Sequence, residues 1–253
     1  MKLYISLFLF ILGSVVGSFL GCMGYRIPNK IKTTFPPSFC SECNKKLKWY
    51  MNIPIVSYIF LGGKCAYCKK PIGFIYFFTE ILCAFLFVLN NLLYGFSINF
   101  FISTILSCVL IVTIVSDFLY YYISDRVLII SVIAIIVTLY AFTGANEVLK
   151  AIINGALMFG IMYAIKLLGN FIFKRESLGD GDIKLMGVIS LAIGVMNGFC
   201  ALFLASVIGL IYSLFISKIN KDGIIPFGPF LLIGGMLSIY FSDFFIHIFH
   251  VLI

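Results

Sequence analysis

The sequence predicts an all-α polytopic membrane protein with about eight transmembrane helices. Of its 253 residues, 62% are hydrophobic and 11% are charged. The mean hydropathy of +1.13 is well above that of a soluble domain of this size. A spanning helix needs about 20 largely apolar residues, and eight mostly apolar runs approach or reach that length, the sixth being the shortest. They comprise residues 3–25, 72–94, 97–116, 126–145, 147–169, 183–195, 197–217 and 228–250.

The first run is expected to be a helix of the mature protein and not a removable signal peptide. Its apolar stretch from Leu3 to Met23 is longer than a signal-peptide core of about 7–15 residues, and no small-x-small cleavage site follows it. The basic residues lie after this run, which indicates that the N-terminus is outside.

The positive charges predict the topology. If the segment between the first two helices is cytoplasmic, alternation through eight spans places 16 of the 18 Lys and Arg residues inside, with Lys2 and Lys150 as the exceptions. Cytoplasmic loops of membrane proteins carry such an excess. The net charge of +8 is thereby explained by membrane topology and not by a nucleic-acid partner, and membrane lipid is the expected surrounding.

Three regions are expected along the chain: a first transmembrane helix (1–25), a cytoplasmic loop (26–71) and a membrane domain (72–253). The loop holds nine basic residues, one acidic residue (Glu42) and five prolines, which prevent a long helix. The shorter polar breaks at 117–126, 170–182 and 218–227 fall on the same face as this loop. Function is therefore expected on the cytoplasmic side.

The loop carries two C-x-x-C pairs separated by 21 residues, formed by Cys40, Cys43, Cys65 and Cys68. Two such pairs can supply the four thiolates of a tetrahedral zinc site. Because all four positions would be protein ligands, the site is expected to be structural and to stabilise a segment too short to bury a core. Free thiols, a redox pair and an iron–sulfur cluster are the alternatives.

Aspartates stand at two polar boundaries of the apolar runs. Asp117 directly follows the third run, and Asp180 and Asp182 lie in the sequence Gly179-Asp-Gly181-Asp before the sixth run. Ionisable residues at the membrane boundary are costly unless water or a partner reaches them, so they are functional candidates. The alternative is a turn with a helix cap, for which Gly and Asp are also favoured.

The predicted topology places both aspartate clusters at the same cytoplasmic depth. Two carboxyl groups that meet in a wet cleft repel each other, so that one holds a proton while the other stays ionised. Such a pair can activate water and donate a proton, as in aspartic proteases. The glycines at 179 and 181 would let a substrate strand approach closely. A transporter with intramembrane aspartates and a non-catalytic zinc module are the rival interpretations.

Several further motifs resemble the type IV prepilin peptidases, the GxGD-type aspartyl proteases of type IV pilus and protein secretion systems. The similar segments are GSFL at 17–20, YRIP at 25–28, WY at 49–50, NIP at 52–54, GDGDIKL at 179–185 and PFGP at 226–229. Asp117 and Asp125 also have the spacing of that family. Two positions depart from its pattern: Ser124 replaces the usual proline, and GCMG at 21–24 replaces NVVI.

The resemblance implies a peptidase of the bacterial inner membrane that cuts prepilins or pseudopilins between a glycine and the hydrophobic segment after it. It implies Asp117 and Asp182 as the catalytic pair. Asp125 would support them, for example as a helix N-cap, and the other supporting residues would be Asp180, Gly179, Gly181 and Lys184.

The resemblance also implies a second activity. Members of this family often methylate the new N-terminus with S-adenosylmethionine, which associates Gly63, Lys64 and Glu80 with that cofactor. The resemblance does not predict the oligomeric state or the particular prepilins that are cut.

Overall fold

A computed structural model describes residues 2–33, 37–174, 176–216, 225–242 and 244. Within these residues the chain forms nine α-helices and one short 3-10 helix at Trp49–Asn52. The α-helices are α1 (Lys2–Arg26), α2 (Val56–Phe60), α3 (Phe74–Tyr94), α4 (Ile98–Tyr120), α5 (Asp125–Thr143), α6 (Ala145–Phe173), α7 (Asp180–Ile193), α8 (Val195–Ile216) and α9 (Gly228–Tyr240). The predicted all-α fold is confirmed for the part of the chain described.

Six of the described helices are long and apolar enough to cross a membrane, namely α1, α3, α4, α5, α6 and α8. With 14 and 13 residues, α7 and α9 are shorter. The eighth predicted run, 228–250, extends past the described residues, so a count of eight spans stays a prediction. The chain is a multi-pass membrane protein whose longest helices match the apolar runs.

Two polar breaks are shorter than the sequence predicts. α4 continues to Tyr120, so Asp117 lies in the last turn of the helix and not after it. α6 continues to Phe173 because Gly169 and Asn170 are accommodated within the helix. In both places the polar residues stay helical, and only residues 121–124 separate α4 from α5. Residues 217–224, within the third predicted break, lie outside the described part of the chain.

Glycines on α1 allow close packing against α3 and α4. A Cβ on Gly17 would lie 2.8 Å from the Cys83 Cβ, and one on Gly24 would lie 2.6 Å from the Val115 Cβ. Small residues commonly let membrane helices approach in this way. The first helix is therefore packed directly against α4, two residues before Asp117.

α4 is the most buried of the six candidate spans and packs against α1, α3, α5 and α9. A buried polar network joins three of these helices. The Asn90 amide of α3 donates to Ser107 Oγ of α4 at 3.2 Å and accepts from the Tyr240 hydroxyl of α9 at 2.5 Å. Because unpaired polar groups are costly in a membrane, this network holds α9 against α4.

Candidate active site and candidate metal centre

Asp117 is buried at the end of α4, with 6% of its surface exposed. Its Oδ2 accepts a hydrogen bond from the backbone N–H of Gly228 at 3.0 Å, and Gly228 is the first residue of α9. A helix N-terminus favours negative charge. A Cβ on Gly228 would lie 3.1 Å from Asp117 Oδ2, so a glycine lets the α9 backbone reach this carboxyl group.

Asp182 lies in the first turn of α7, where it also faces a helix N-terminus. A Cβ on Gly179 would lie 2.9 Å from Asp182 Oδ2, so the side chain turns back over this glycine. Oδ1 is buried and has no hydrogen-bond partner among the described residues. A buried carboxyl oxygen without a donor is costly, and such a group at a membrane boundary is a candidate for chemistry.

Ile123 connects the two aspartate clusters. Its Cβ would lie 2.9 Å from a Cβ on Gly181, and its Cδ1 would lie 2.9 Å from a Cβ on Gly228. The residue before Asp182 and the residue bonded to Asp117 thus pack against the same side chain. The segments that carry Asp117 and Asp182 therefore pack around one side chain, and their action as a catalytic pair stays a prediction.

The other two aspartates differ from this pair because each forms an ion pair with a lysine. Lys184 Nζ lies 2.8 Å from Asp125 Oδ1, and Lys166 Nζ lies 2.5 Å from Asp180 Oδ1. The hydrogen bond and charge of Lys166 lower the pKa of the exposed Asp180 carboxyl group. Asp125 is the first residue of α5 and not its N-cap, which is Ser124. The expectation of an N-cap at Asp125 was wrong because the helix begins one residue earlier than that role requires.

The four aspartates at 117, 125, 180 and 182 thus fall into two groups. Asp125 and Asp180 are exposed and paired with lysines. Among the residues that the structure describes, neither Asp117 nor Asp182 has an ion pair. Local spacing does not distinguish Asp180 from Asp182, since both stand in one Gly-Asp repeat; only the family resemblance assigns them different roles. Their opposite surroundings depend on Lys166, which lies on another helix.

The four loop cysteines form one cluster. Their Sγ atoms all lie within 4.8 Å of one another, and Cys40 Sγ is 3.9 Å from Cys68 Sγ. Tetrahedral zinc with Zn–S bonds of about 2.3 Å requires sulfur atoms about 3.8 Å apart. The donor set and its spacing therefore fit a closed, structural zinc site.

Each cysteine pair lies in the same kind of turn. Cys40 N–H donates to the Lys45 carbonyl at 3.0 Å, and Cys65 N–H donates to the Lys70 carbonyl at 2.9 Å. Each turn contains one residue with positive φ, Asn44 at +54° or Lys69 at +60°. Hydrogen bonds from the backbone of Cys68 and Tyr67 lower the pKa of Cys65 to about 6. A thiolate is the form that binds metal.

The three residues associated with methyl transfer are separated. Glu80 of α3 lines a cavity between the cysteine segment, α1 and α3, whereas Gly63 and Lys64 are not among the described residues that line it. Gly63 has φ +67° and packs against the Tyr58 ring, and Lys64 forms a β-bridge with Pro71. Both shape the second cysteine turn, so cofactor contact by these two residues remains a prediction.

Sequence reasoning did not find this cavity, because its walls come from three separate segments. Two tyrosine rings connect the wall of the cavity to the end of α4, where Asp117 lies. Tyr25 of α1 lines the cavity, and its ring contacts that of Tyr120 edge-on, with centroids 6.3 Å apart. Tyr120 follows Asp117 by one helical turn. No motif spacing could indicate this contact.

Comparison with known proteins adds two matches to family models. The Bacterial Peptidase A24 N-terminal domain matches residues 11–94, which include the cysteine segment and Glu80. The Type IV leader peptidase family matches residues 104–214, which include all four aspartates near the boundary.

Full-length relatives are also similar. A Bacillus subtilis protein named prepilin leader peptidase/N-methyltransferase is 30% identical over 240 residues, covering 93% of this chain and 94% of that protein. A Vibrio cholerae protein of the same name is 30% identical, with coverage of 94% and 98%. An Escherichia coli type 4 prepilin-like proteins leader peptide-processing enzyme is 29% identical, with coverage of 92% and 93%. No solved structure matches the chain significantly.

Proposed function

The chain belongs to the type IV leader peptidase family. From this membership, and from the packing of Gly181 and Gly228 beside the two aspartates against Ile123, we propose that it cuts leader peptides from prepilins or pseudopilins. The cut is placed on the cytoplasmic side of the bacterial inner membrane, where the basic cysteine segment is expected. Membership of a peptidase family argues against the transporter and the non-catalytic zinc module.

The single observation that carries the proposal is the contrast between paired and unpaired aspartates. Asp125 and Asp180 each form an ion pair with a lysine, whereas neither Asp117 nor Asp182 has an ion pair among the described residues. Two such carboxyl groups hold one proton between them. The ionised member removes a proton from water as it attacks the scissile carbonyl, and the protonated member donates to the carbonyl oxygen.

The surroundings support this chemistry. Asp117 is held by the Gly228 N–H at the start of α9, and Asp182 is held at the start of α7. Two helix N-termini thus point toward the charge of the pair. Gly179 leaves room for the Asp182 side chain, and Gly181 leaves room for Ile123. Lys184 and Lys166 form ion pairs with Asp125 and Asp180. Gly179, Asp180, Gly181 and Lys184 therefore position the catalytic pair and do not take part in making or breaking bonds.

Zinc in the Cys40, Cys43, Cys65 and Cys68 cluster would order the segment 26–71. The relatives' names also include N-methyltransferase, and we propose that this chain transfers methyl from S-adenosylmethionine to the new N-terminus. When bound, that cofactor supplies an electrophilic methyl group. The cavity of about 920 Å³ beside the cysteine segment is large enough to hold it. Residues 26–71 would be the methyl-transfer module and 72–253 the peptidase domain.

Purified protein incubated with a prepilin tests the peptidase proposal. Asp117→Asn and Asp182→Asn should each slow release of the leader by about 100-fold or more, because general acid–base catalysis is worth this much. Asp125→Asn is the matched control: it makes the same chemical change at the same boundary and should retain most activity. Equal loss in all three variants, or none in the first two, would refute the pair as the catalytic centre.

A further inference from the structure

The cavity between the cysteine segment, α1 and α3 has the size and lining of a ligand site. Its volume is about 920 Å³, and its walls include the rings of Tyr25, Trp49 and Tyr76 and the carboxyl group of Glu80. Small-molecule sites are typically about 300–1,000 Å³, mostly apolar, with a few placed polar groups. The space is sufficient for a nucleoside-sized molecule together with the end of a peptide.

Glu80 is held in a defined position on the wall of this cavity. Its Oε2 accepts a hydrogen bond from the Ile55 N–H at 2.7 Å. Ile55 has φ +63°, which is rare for a β-branched residue. Strained backbone persists where the surrounding structure requires it. Here it directs an N–H from the cysteine segment at a carboxyl group on α3.

The other charged side chains of the cavity already have partners. The Arg26 guanidinium donates to the carbonyls of Lys32 and Thr33 and lies over the Phe39 ring. Glu42 forms an ion pair with Lys70. Glu80 has no ion pair among the residues that the structure describes. Glu80 is therefore the carboxyl group of the cavity lining that has no ion pair among the described residues, and a carboxylate in that position can bind a cation.

We propose that this cavity is the methyl-transfer chamber and that the Glu80 carboxylate binds the α-ammonium group of the cut substrate and accepts its proton. The inference rests on the methyltransferase part of the proposed function and adds the place of transfer and the role of one residue. Glu80 would thus be a catalytic residue of the second reaction only.

The depth of Glu80 favours the peptide amine as the bound cation. Glu80 lies six residues after the start of α3 at Phe74, which is about 9 Å along the helix axis. The new N-terminus belongs to a hydrophobic, membrane-embedded segment and reaches this depth from the bilayer. Trp49 lies in the polar cysteine segment and is 80% exposed, so the soluble methyl donor is expected on that side of the cavity.

The proposed step is balanced in atoms and charge. The ammonium loses one proton to the Glu80 carboxylate and becomes a neutral amine. The amine nitrogen attacks the methyl carbon of the sulfonium; a C–N bond forms as the S–CH3 bond breaks, and the bonding electron pair returns to sulfur. The products are a methylated ammonium, a neutral thioether and protonated Glu80, which returns its proton to water.

The sites of the two proposed reactions would be neighbours, separated by tyrosine side chains. Tyr25 lines the chamber and contacts Tyr120, one turn beyond Asp117. Gly24, the neighbour of Tyr25, packs against Val115 of the same helix. A substrate cut at the aspartate pair therefore leaves its new N-terminus beside the chamber, separated from it by tyrosine rings.

Tryptophan fluorescence tests binding apart from activity, because Trp49 is the only tryptophan in the chain and lines the chamber. The full-length protein in detergent is titrated with a peptide that begins at the cut site and with its N-acetylated twin. The free amine should bind wild type at least tenfold more tightly than the acetylated peptide. Glu80→Gln should remove this preference, while S-adenosylhomocysteine binding and leader cleavage stay within twofold of wild type.

Methyl transfer to the same peptide is measured in parallel, with Glu147→Gln as the control because it makes the same change on an exposed carboxylate of α6. Glu80→Gln should slow transfer by about 100-fold, the scale of one general base. If the wild-type protein methylates the peptide but binds the free and the acetylated peptide with equal affinity, the role of Glu80 is refuted and the methyltransferase proposal stands. This outcome does not depend on whether Glu80→Gln folds. If the wild-type protein cuts the leader but neither binds S-adenosylhomocysteine nor methylates the peptide, both the methyltransferase proposal and the role of Glu80 are refuted.

Discussion

The backbone N–H of Gly228 donates a hydrogen bond to Oδ2 of Asp117 across 3.0 Å, although 111 positions separate the two residues in the chain. This bond joins the start of α9 to the end of α4. It holds the carboxyl group in a fixed orientation, and Ile123 packs beside it against both Gly228 and Gly181. The position of Asp117 relative to Asp182 thus depends on the approach of three helices.

Gly228→Ala tests this approach. The added Cβ would lie 2.9 Å from Ile123 Cδ1 and 3.1 Å from Asp117 Oδ2, so one of these groups must shift. We expect kcat for leader cleavage to fall by about 10- to 100-fold, because small displacements of catalytic groups are costly. Gly209→Ala is the control, since its Cβ would make only ordinary contacts with Phe227 at 3.5 Å and beyond. Unchanged kcat in Gly228→Ala would contradict the proposed dependence on this bond.

The two central aspartates should behave as one unit. If Asp117 and Asp182 share a proton, removing either one already destroys the pair, and removing both adds little. Cleavage by the double variant Asp117→Asn/Asp182→Asn should therefore be within about threefold of the slower single variant. Fully multiplicative losses in initial-rate assays would indicate that the two carboxyl groups act independently.

The Lys166–Asp180 ion pair is predicted to position the start of α7. Lys166 lies on α6 with 11% of its side chain exposed, so loss of Asp180 leaves a buried ammonium group without a partner. Asp180→Asn and Lys166→Met should each reduce cleavage several-fold. The exchanged pair Lys166→Asp/Asp180→Lys should recover part of that loss in kcat, which a mere packing role would not allow.

The same pair gives a prediction about pH. Lys166 lowers the pKa of Asp180, so any stability from this pair is present above the ordinary pKa of aspartate, about 3.9, and is lost only as the pH falls through the lower, folded-state value. Between pH 5 and 8 the pair should stay intact. The pH–rate profile of Asp180→Asn over this range should then have the wild-type shape, and a changed shape would show that Asp180 titrates in the reaction.

The cysteine cluster should contain about one zinc ion per chain by elemental analysis, as expected for four thiolate ligands. Cys65→Ser should reduce the metal content and make the segment 37–71 more sensitive to proteolysis, because the metal orders a segment with little core. Leader cleavage should be retained better than methylation, since the aspartate pair lies on other helices. Cys200→Ala is the control, because it removes a buried thiol outside the cluster. Metal-free protein purified without chelators would refute the zinc site.

The contact between α1 and α4 is expected to contribute to stability. A Cβ on Gly24 would lie 2.6 Å from the Val115 Cβ, whereas a Cβ on Gly160 of α6 would meet no atom within 4 Å. Gly24→Ala should lower the Tm in detergent because of overpacking. Gly160→Ala should keep or raise the Tm because alanine favours the helix. Equal Tm values for both variants would show that this contact is dispensable.

The sequence by itself determined the features that depend on local pattern. Apolar runs determined the helices, because each backbone must satisfy its own hydrogen bonds in a membrane. The C-x-x-C spacing determined the cysteine turns, since a turn of that length brings two thiols to one side. The sequence also indicated the four aspartates at 117, 125, 180 and 182 as candidates.

Which aspartates are paired with a lysine depends on the tertiary structure, because the partners are distant in sequence. Lys184 is 59 positions from Asp125, and Lys166 lies on a different helix from Asp180. No periodicity encodes such contacts, which depend on helix packing at glycines 24, 181 and 228. The cavity at Glu80 has the same origin, since α1, α3 and the strained backbone at Ile55 form it together. Local sequence patterns therefore predict which side chains can act as acids or metal ligands. Long-range packing determines which residues surround them.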